Sequence, residues 1–230
     1  MKIKKISLVL SAIILTAGVI MAILFENPYA GEIELTEEVL QEYILSAGPL
    51  LNEDGKTTDL PEIEELYSSS DEILQIAVKN ITTKNDDIIV DGHVTDVVRS
   101  EKGIKEGEDI YIYLPIYVNK GDSKYFTLNT FINIPKNNEI YIAFLTEYFV
   151  SASYNPSEKD KNTFLLTNEY VGLFPTKEKL NVMQVTTNEG SLNTMFNWED
   201  IKQYDFIVKD TEEKITIETI YSALSSSISN

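Results

Sequence analysis

Side chains capable of catalysis or ligation are sparse in this chain. Its one histidine, His93, lies in the extended run Ile88–Val98 on the same face as Asp91 and Thr95, since alternate residues of a strand share a side. An imidazole beside a carboxylate is the pairing used in general-base catalysis. That face is mostly polar, however, and no nucleophile pairs with it, because the sequence contains no G-x-S-x-G, S-x-x-K or H-E-x-x-H. An exposed strand residue is the simpler reading of His93. Adjacent carboxylates occur at Glu37/Glu38, Glu64/Glu65, Asp86/Asp87, Glu199/Asp200 and Glu212/Glu213, but with 37 acids in 230 residues such pairs arise by chance. Neighbours along a strand also face opposite ways, so none of these pairs is a glycosidase dyad by itself. The turn Asn85-Asp86-Asp87 with Asp91 offers hard oxygens to Ca²⁺ but lacks the spacing of an EF-hand loop. Without cysteine, and with a single histidine, thiolate and histidine-rich metal sites are excluded, and no cofactor or metal is predicted.

The remaining candidate is a row of aromatics. In Ile110–Val118, Ile110, Ile112, Leu114 and Ile116 share one face while Tyr111, Tyr113 and Tyr117 share the other. Tyrosines in a row on a barrel surface stack on sugar faces or grip an extended peptide. Cross-strand packing beneath a loop or helix explains the same residues.

The elements that would position these residues read mainly as strands. Extended runs cover Ile73–Ile81, Ile88–Val98, Ile110–Val118, Phe126–Ile134, Ile140–Val150 and Phe164–Phe174, separated by turn residues without helical crossovers. This pattern predicts an antiparallel barrel or sandwich. Pro115 in the third run predicts an edge position or a bulge, because proline cannot donate to a ladder. Upstream, Thr36 caps a helix predicted from Glu37 to about Ala47, ended by Gly48 and Pro49. A polar loop spans Leu51 to Asp59, and a second short helix follows through Glu65 and Leu66. Downstream, a strand is predicted at Leu180–Thr186, a helical turn around Trp198, a mixed strand or helix over Lys214–Leu224 and a frayed end over Ser225–Asn230.

Ahead of all this, Ile6 to Phe25 is a run of 20 residues without charge, amide or proline. As a helix it would span about 30 Å, the hydrocarbon thickness of a bilayer. Lys2, Lys4 and Lys5 precede it, so the positive end stays inside and the bulk of the chain goes out. A cleaved secretory signal is the competing reading, weakened by the length of the apolar stretch and by poor cleavage sites near Ala22 and Ala30. Both readings export the domain. With those three lysines removed, 16 of the 19 basic residues and all 37 acidic ones remain, a net charge of −21. Such a surface repels phosphate backbones, so nucleic acid is excluded as a partner. Anionic lipid and wall polymers are disfavoured by the same sign.

The stretches Ile63-Glu-Glu-Leu66, Ser70-Asp71 to Val78, Val90-Asp-Gly-His-Val-Thr to Ser100, Lys105-Glu-Gly-Glu-Asp-Ile110 and Asn138-Glu-Ile-Tyr to Leu145 resemble small exported OB-like domains of Gram-positive-type bacteria. In those domains a short helix and a Ser-Asp pair precede the first strand, and a Gly-Glu/Asp turn leads into a later one. The resemblance covers about residues 60–175 of this sequence. The chain departs from the pattern at Asn137-Asn138, where glycine is typical, and in the inserted-looking segment Asn119–Phe131. The resemblance implies a fold and an exported location but no catalytic residue.

The expected organisation is thus an anchor or signal segment over 1–30, a helical lead-in over 31–70, an OB-like antiparallel β-barrel over 71–180 and an α+β extension over 181–230. The expected role is a single-pass, membrane-anchored binding or interaction module outside the cytoplasm, with an envelope protein, peptide or glycan as partner and Tyr111, Tyr113 and Tyr117 as the candidate surface. A secreted or wall-associated hydrolase whose carboxylates converge only in the fold, and a structural accessory subunit of an envelope complex, remain as alternatives.

Overall fold

In the computed structural model the described residues are 31–47, 60–84, 86–121, 123–149, 157–185 and 194–228. The apolar run Ile6–Phe25, the loop Leu51–Asp59, Asn85 and the last two residues lie outside them. Among the described residues no helix is long and apolar enough to cross a membrane.

A short strand β1 (Ile33–Glu34) leads into helix α1 (Glu37–Leu40) and strand β2 (Ile44–Ala47). The Thr36 hydroxyl caps α1, accepting from the Val39 amide at 3.3 Å. The helix expected to continue to Ala47 nevertheless stops at Leu40 and gives way to β2. A helix this short is marginal on its own, whereas residues 44–47 gain ladder partners on both sides, parallel to Tyr125–Leu128 and antiparallel to Thr194–Asn197. Helix α2 (Ile63–Ser69) then buries Leu66 and delivers the chain to the barrel.

The barrel consists of β3 (Glu72–Lys84), β4 (Asp87–Ser100), β5 (Asp109–Asn119), β7 (Ile140–Glu147) and β8 (Thr163–Leu166), with β6 (Tyr125–Leu128) standing outside the ring. β3 pairs with β4, β4 with β5, β5 in parallel with β8, β8 with β7, and β7 back with β3, so five strands close on themselves. The protein is mainly β with a closed five-strand barrel, consistent with an OB-like fold. Inside lie Leu74, Ile76 and Val78 from β3, Val90 and Val94 from β4, and Ile110, Ile112 and Leu114 from β5, all buried. A Cβ on Gly92 would stand 3.0 Å from Ile76 Cδ1, so this position is kept small to let the Ile76 side chain pack. Asn138 takes φ 65°, the left-handed turn conformation that asparagine tolerates better than most other non-glycine side chains.

Of the two positions expected for Pro115, an edge or a bulge, the structure has the bulge: Leu114 pairs with Ile88 but Tyr117 pairs with Asp87, leaving Pro115 and Ile116 out of the β4 ladder. Beyond the bulge β5 turns to a new partner, β6, which pairs with β2, and β2 with β11 (Thr194–Asn197). The expected strand Phe126–Ile134 therefore ends at Leu128, and past the exposed Asn129 its remainder, Thr130–Ile134, is a buried irregular stretch. The run Phe164–Phe174 also divides, into β8 and β9 (Leu173–Pro175), which pair with successive parts of the same edge of β7.

The C-terminal region covers the outer side of β7. β10 (Val182–Gln184) pairs in parallel with β12 (Phe206–Val208); helix α4 (Trp198–Ile201) lies between them in sequence, and helix α5 (Thr211–Ile228) follows. The region expected to be mixed or frayed is one helix through Ile228. Its start is fixed by reciprocal bonds: Asp210 Oδ1 accepts from the Glu213 amide at 2.8 Å, and Glu213 Oε2 accepts from the Lys209 amide at 2.8 Å. A file of aromatics, Tyr67, Phe144, Phe174 and Phe206, runs from α2 through β7 and β9 to β12, with centroids 5.4, 6.4 and 5.3 Å apart. At this junction Asp205, whose side chain is 2% exposed, accepts from Lys177 Nζ at 2.5 Å and from the Asn181 amide at 2.8 Å. The Asn133 side-chain amide donates to the carbonyls of Ile201 and Tyr204, both at 2.9 Å.

Removing one member of a buried, hydrogen-bonded pair leaves the other without compensation. We expect Asp205→Ala to lower the unfolding free energy by about 3 kcal/mol, read from urea denaturation, with Glu178→Ala nearby on the surface within about 0.5 kcal/mol of wild type.

Candidate functional site

The outward side chains of β4 and β5 form the candidate site. Alternation puts Asp91, His93 and Thr95 on the outside of β4 and Asp109, Tyr111, Tyr113 and Tyr117 on the outside of β5. The register sets Asp91 opposite Tyr111, His93 opposite Asp109, and Ile89 opposite Tyr113. Tyr111 and Tyr113 are half-buried; Tyr117, beyond the bulge, is exposed. All three expected tyrosines thus lie on one side of the strand, with Tyr117 set apart by the bulge.

Two neighbours complete the surface. Tyr148, just past β7, stacks on Tyr113 with ring centroids 5.3 Å apart and planes 27° apart, and the next residue, Phe149, is 87% exposed. Helix α3 (Glu158–Lys161) precedes β8 and brings Lys159 Nζ to 4.6 Å from the centre of the Tyr111 ring. The position of α3 is held by the parallel pairing of β8 with β5: the Tyr111 amide donates to the Asn162 carbonyl at 2.9 Å, the Asn162 side chain donates to the Asp109 carbonyl at 3.2 Å, and the Thr163 hydroxyl donates to the Lys159 carbonyl at 2.7 Å.

The histidine has a carboxylate partner, but it is Asp109 rather than Asp91. His93 Nδ1 lies 2.8 Å from Asp109 Oδ1, and Lys79 Nζ lies 2.9 Å from Oδ2 of the same carboxylate. These two donors, Lys79 foremost, hold the Asp109 carboxyl below its usual range. Asp91 shifts the other way, raised chiefly by burial and further by Asp109, with Lys79 and Lys159 opposing. Among the described residues Asp91 Oδ1 and Thr95 Oγ1 are buried without a hydrogen-bond partner. Burial is the main cause that raises Tyr111 and Tyr113, and for Tyr113 the neighbouring Tyr148, Asp87, Asp160 and Glu32 add to it.

The adjacent carboxylate pairs have a structural explanation. Glu37/Glu38, Glu64/Glu65, Glu199/Asp200 and Glu212/Glu213 all occupy first turns of helices, where the positive end of the helix dipole favours acids. The fifth pair, Asp86/Asp87, sits at the start of β4, and the Asn85 of its turn lies outside the described residues. Among the described residues no group of three or more His, Cys, Asp or Glu side chains is placed to hold a metal ion.

Sequence reasoning missed Lys79, Asp109, Tyr148 and Lys159. Lys79 is the extra residue at a β3 bulge, and the run containing Tyr148 reads as uninterrupted strand, so their places depend on register and closure. The consecutive exposed aromatics Tyr148-Phe149 at the end of that run were the available signal. No protein-family model matches the chain, and no curated protein matches it.

The opposite shifts of the two aspartates have opposite consequences. A depressed carboxylate stabilises the fold above its unfolded pKa and loses that contribution as pH falls through the folded value; a raised one is a cost once ionised, lost below its unfolded pKa. We expect Asp109→Asn to destabilise at pH 7 and Asp91→Asn to stabilise, both differences fading on acidification. NMR titration of the side-chain carboxyl carbons should show Asp91 protonating before Asp109 as pH falls.

Proposed function

We propose that this protein is a membrane-anchored module acting outside the cytoplasm, which binds an extended peptide, glycan or envelope protein on the outer face of β4 and β5. The observation that carries the reading is the aromatic surface itself: Tyr111, Tyr113 and Tyr117 on one strand, extended by the Tyr113–Tyr148 stack and the exposed Phe149. β4 and β5 are the second and third strands of the closed ring, and OB-like barrels use that face and the adjoining loops to hold oligomeric ligands. The net charge of −21 argues against nucleic acid as that ligand. The resemblance to exported OB-like domains and the 20-residue apolar run behind three lysines support an anchored location with the barrel outside.

The combined substitution Tyr111→Ala with Tyr113→Ala should weaken capture of wall fragments or co-purifying envelope proteins about tenfold or more. Unchanged capture would remove this face from consideration. Location is checked separately: a C-terminal tag on the full chain should be protease-sensitive in intact spheroplasts and remain with the membrane fraction.

A further inference from the structure

The face already holds a cation of its own. Lys159 Nζ stands 4.6 Å from the Tyr111 ring centre, inside the range of a cation–π contact. Among the described residues its ammonium makes no ion pair. It is carried by a helix of four residues. On the neighbouring strand Asp91 lies directly opposite Tyr111 and has no hydrogen-bond partner among the described residues, with Oδ1 enclosed. The adjacent carboxylate, Asp109, is by contrast taken up by Lys79 at 2.9 Å and His93 at 2.8 Å. The face therefore sets a carboxylate without a hydrogen-bond partner opposite an aromatic ring whose present occupant is a lysine without an ion pair.

We infer that the cross-strand pair Tyr111–Asp91 takes a lysine side chain of a basic peptide segment, and that Lys159 is a tethered occupant of the Tyr111 ring which this ligand displaces. The inference rests on the reading of β4 and β5 as the ligand surface and adds the chemical class of the ligand. An incoming ammonium takes over the ring contact and also ion-pairs with Asp91 through Oδ2, the oxygen that is not enclosed. The whole domain, at net −21, draws cations toward it, an attraction that falls with ionic strength. An anion drawn to Lys159 would also meet Asp91 and Asp109 on the same face, and Lys79 is already bound to Asp109.

The test uses the full chain in detergent and a fluorescent, end-capped tri-lysine peptide followed by anisotropy at low salt, with capped tri-glutamate, capped tri-alanine and an N-acetylglucosamine trisaccharide as competitors. Tri-lysine should bind, and only unlabelled tri-lysine should compete. Lys159→Ala should tighten binding about fivefold by removing the internal competitor, while Tyr111→Ala and Asp91→Asn should each weaken it about tenfold. Glu64→Gln, which removes one acid on α2, controls for bulk charge and should change binding less than twofold. The inference is overturned if Lys159→Ala leaves binding unchanged or weakens it, or if Asp91→Asn acts no more strongly than Glu64→Gln. Should the trisaccharide or tri-alanine bind in a Tyr113-dependent manner while tri-lysine does not, the cation inference falls and the ligand face stands. If no probe binds and capture of envelope material is also independent of the tyrosines, both fall. Circular-dichroism melting of each variant separates loss of binding from loss of fold.

Discussion

The structure depends on one constraint: every strand of a closed ring must give alternate side chains to the interior, so the nature of the other set decides what lies outside. In β5 the inner set is Ile110, Ile112, Leu114 and Ile116, and the outer set is tyrosine. In β7 both sets are apolar, with Tyr141 to Leu145 all buried. A strand that is apolar on both sides needs a second layer. That layer is the aromatic file from Tyr67 through Phe144 and Phe174 to Phe206, which ties α2 and the C-terminal region to the back of the barrel. The barrel thus has a covered side and a side whose outward residues remain half-exposed, and the candidate site lies on the latter.

Closure also explains how residues far apart in sequence meet. β8 pairs antiparallel with β7 and parallel with β5, and α3, which directly precedes β8, lies against the start of β5. Lys159 is on Tyr111 because the Asn162 carbonyl and side chain and the Thr163 hydroxyl fix the end of α3 against β5. Lys79 reaches Asp109 because a bulge in β3 displaces one residue from the ladder with β4. Bulges beside a binding face commonly re-aim side chains in this way. The Pro115 bulge acts at the other end, steering β5 away from β4 and toward β6, and with it the wider sheet that includes β2 and β11.

The electrostatics follow the same geometry. Asp91 and Asp109 are of one residue type on adjacent strands, yet one is raised by burial and the other lowered by two donors. His93, read from sequence beside Asp91, instead contacts Asp109, because cross-strand neighbours in a ladder lie closer than alternate residues along one strand. Four of the five adjacent acid pairs belong to helix starts, where they complement the backbone dipole, and the fifth, Asp86/Asp87, begins β4.

By itself the sequence determined the features that repeat with a short period. These are the strands over residues 73–118, the two faces of β5, an edge or bulge at Pro115, the turn at Asn138, the Thr36 cap and the charge of the domain, each dictated by local backbone chemistry or by composition. What only the tertiary structure decided was pairing: that Ile44–Ala47 joins a sheet instead of extending a helix, that Phe126–Ile134 lies outside the ring, that residues 211–228 form one helix beside α2 and β10, and that Lys159, Tyr148 and Asp109 gather around the tyrosines. The reason is that a side chain's alternation is written within its own strand, whereas its partners are set by the register and closure of strands tens of residues away, which the chain satisfies only once the whole sheet has formed.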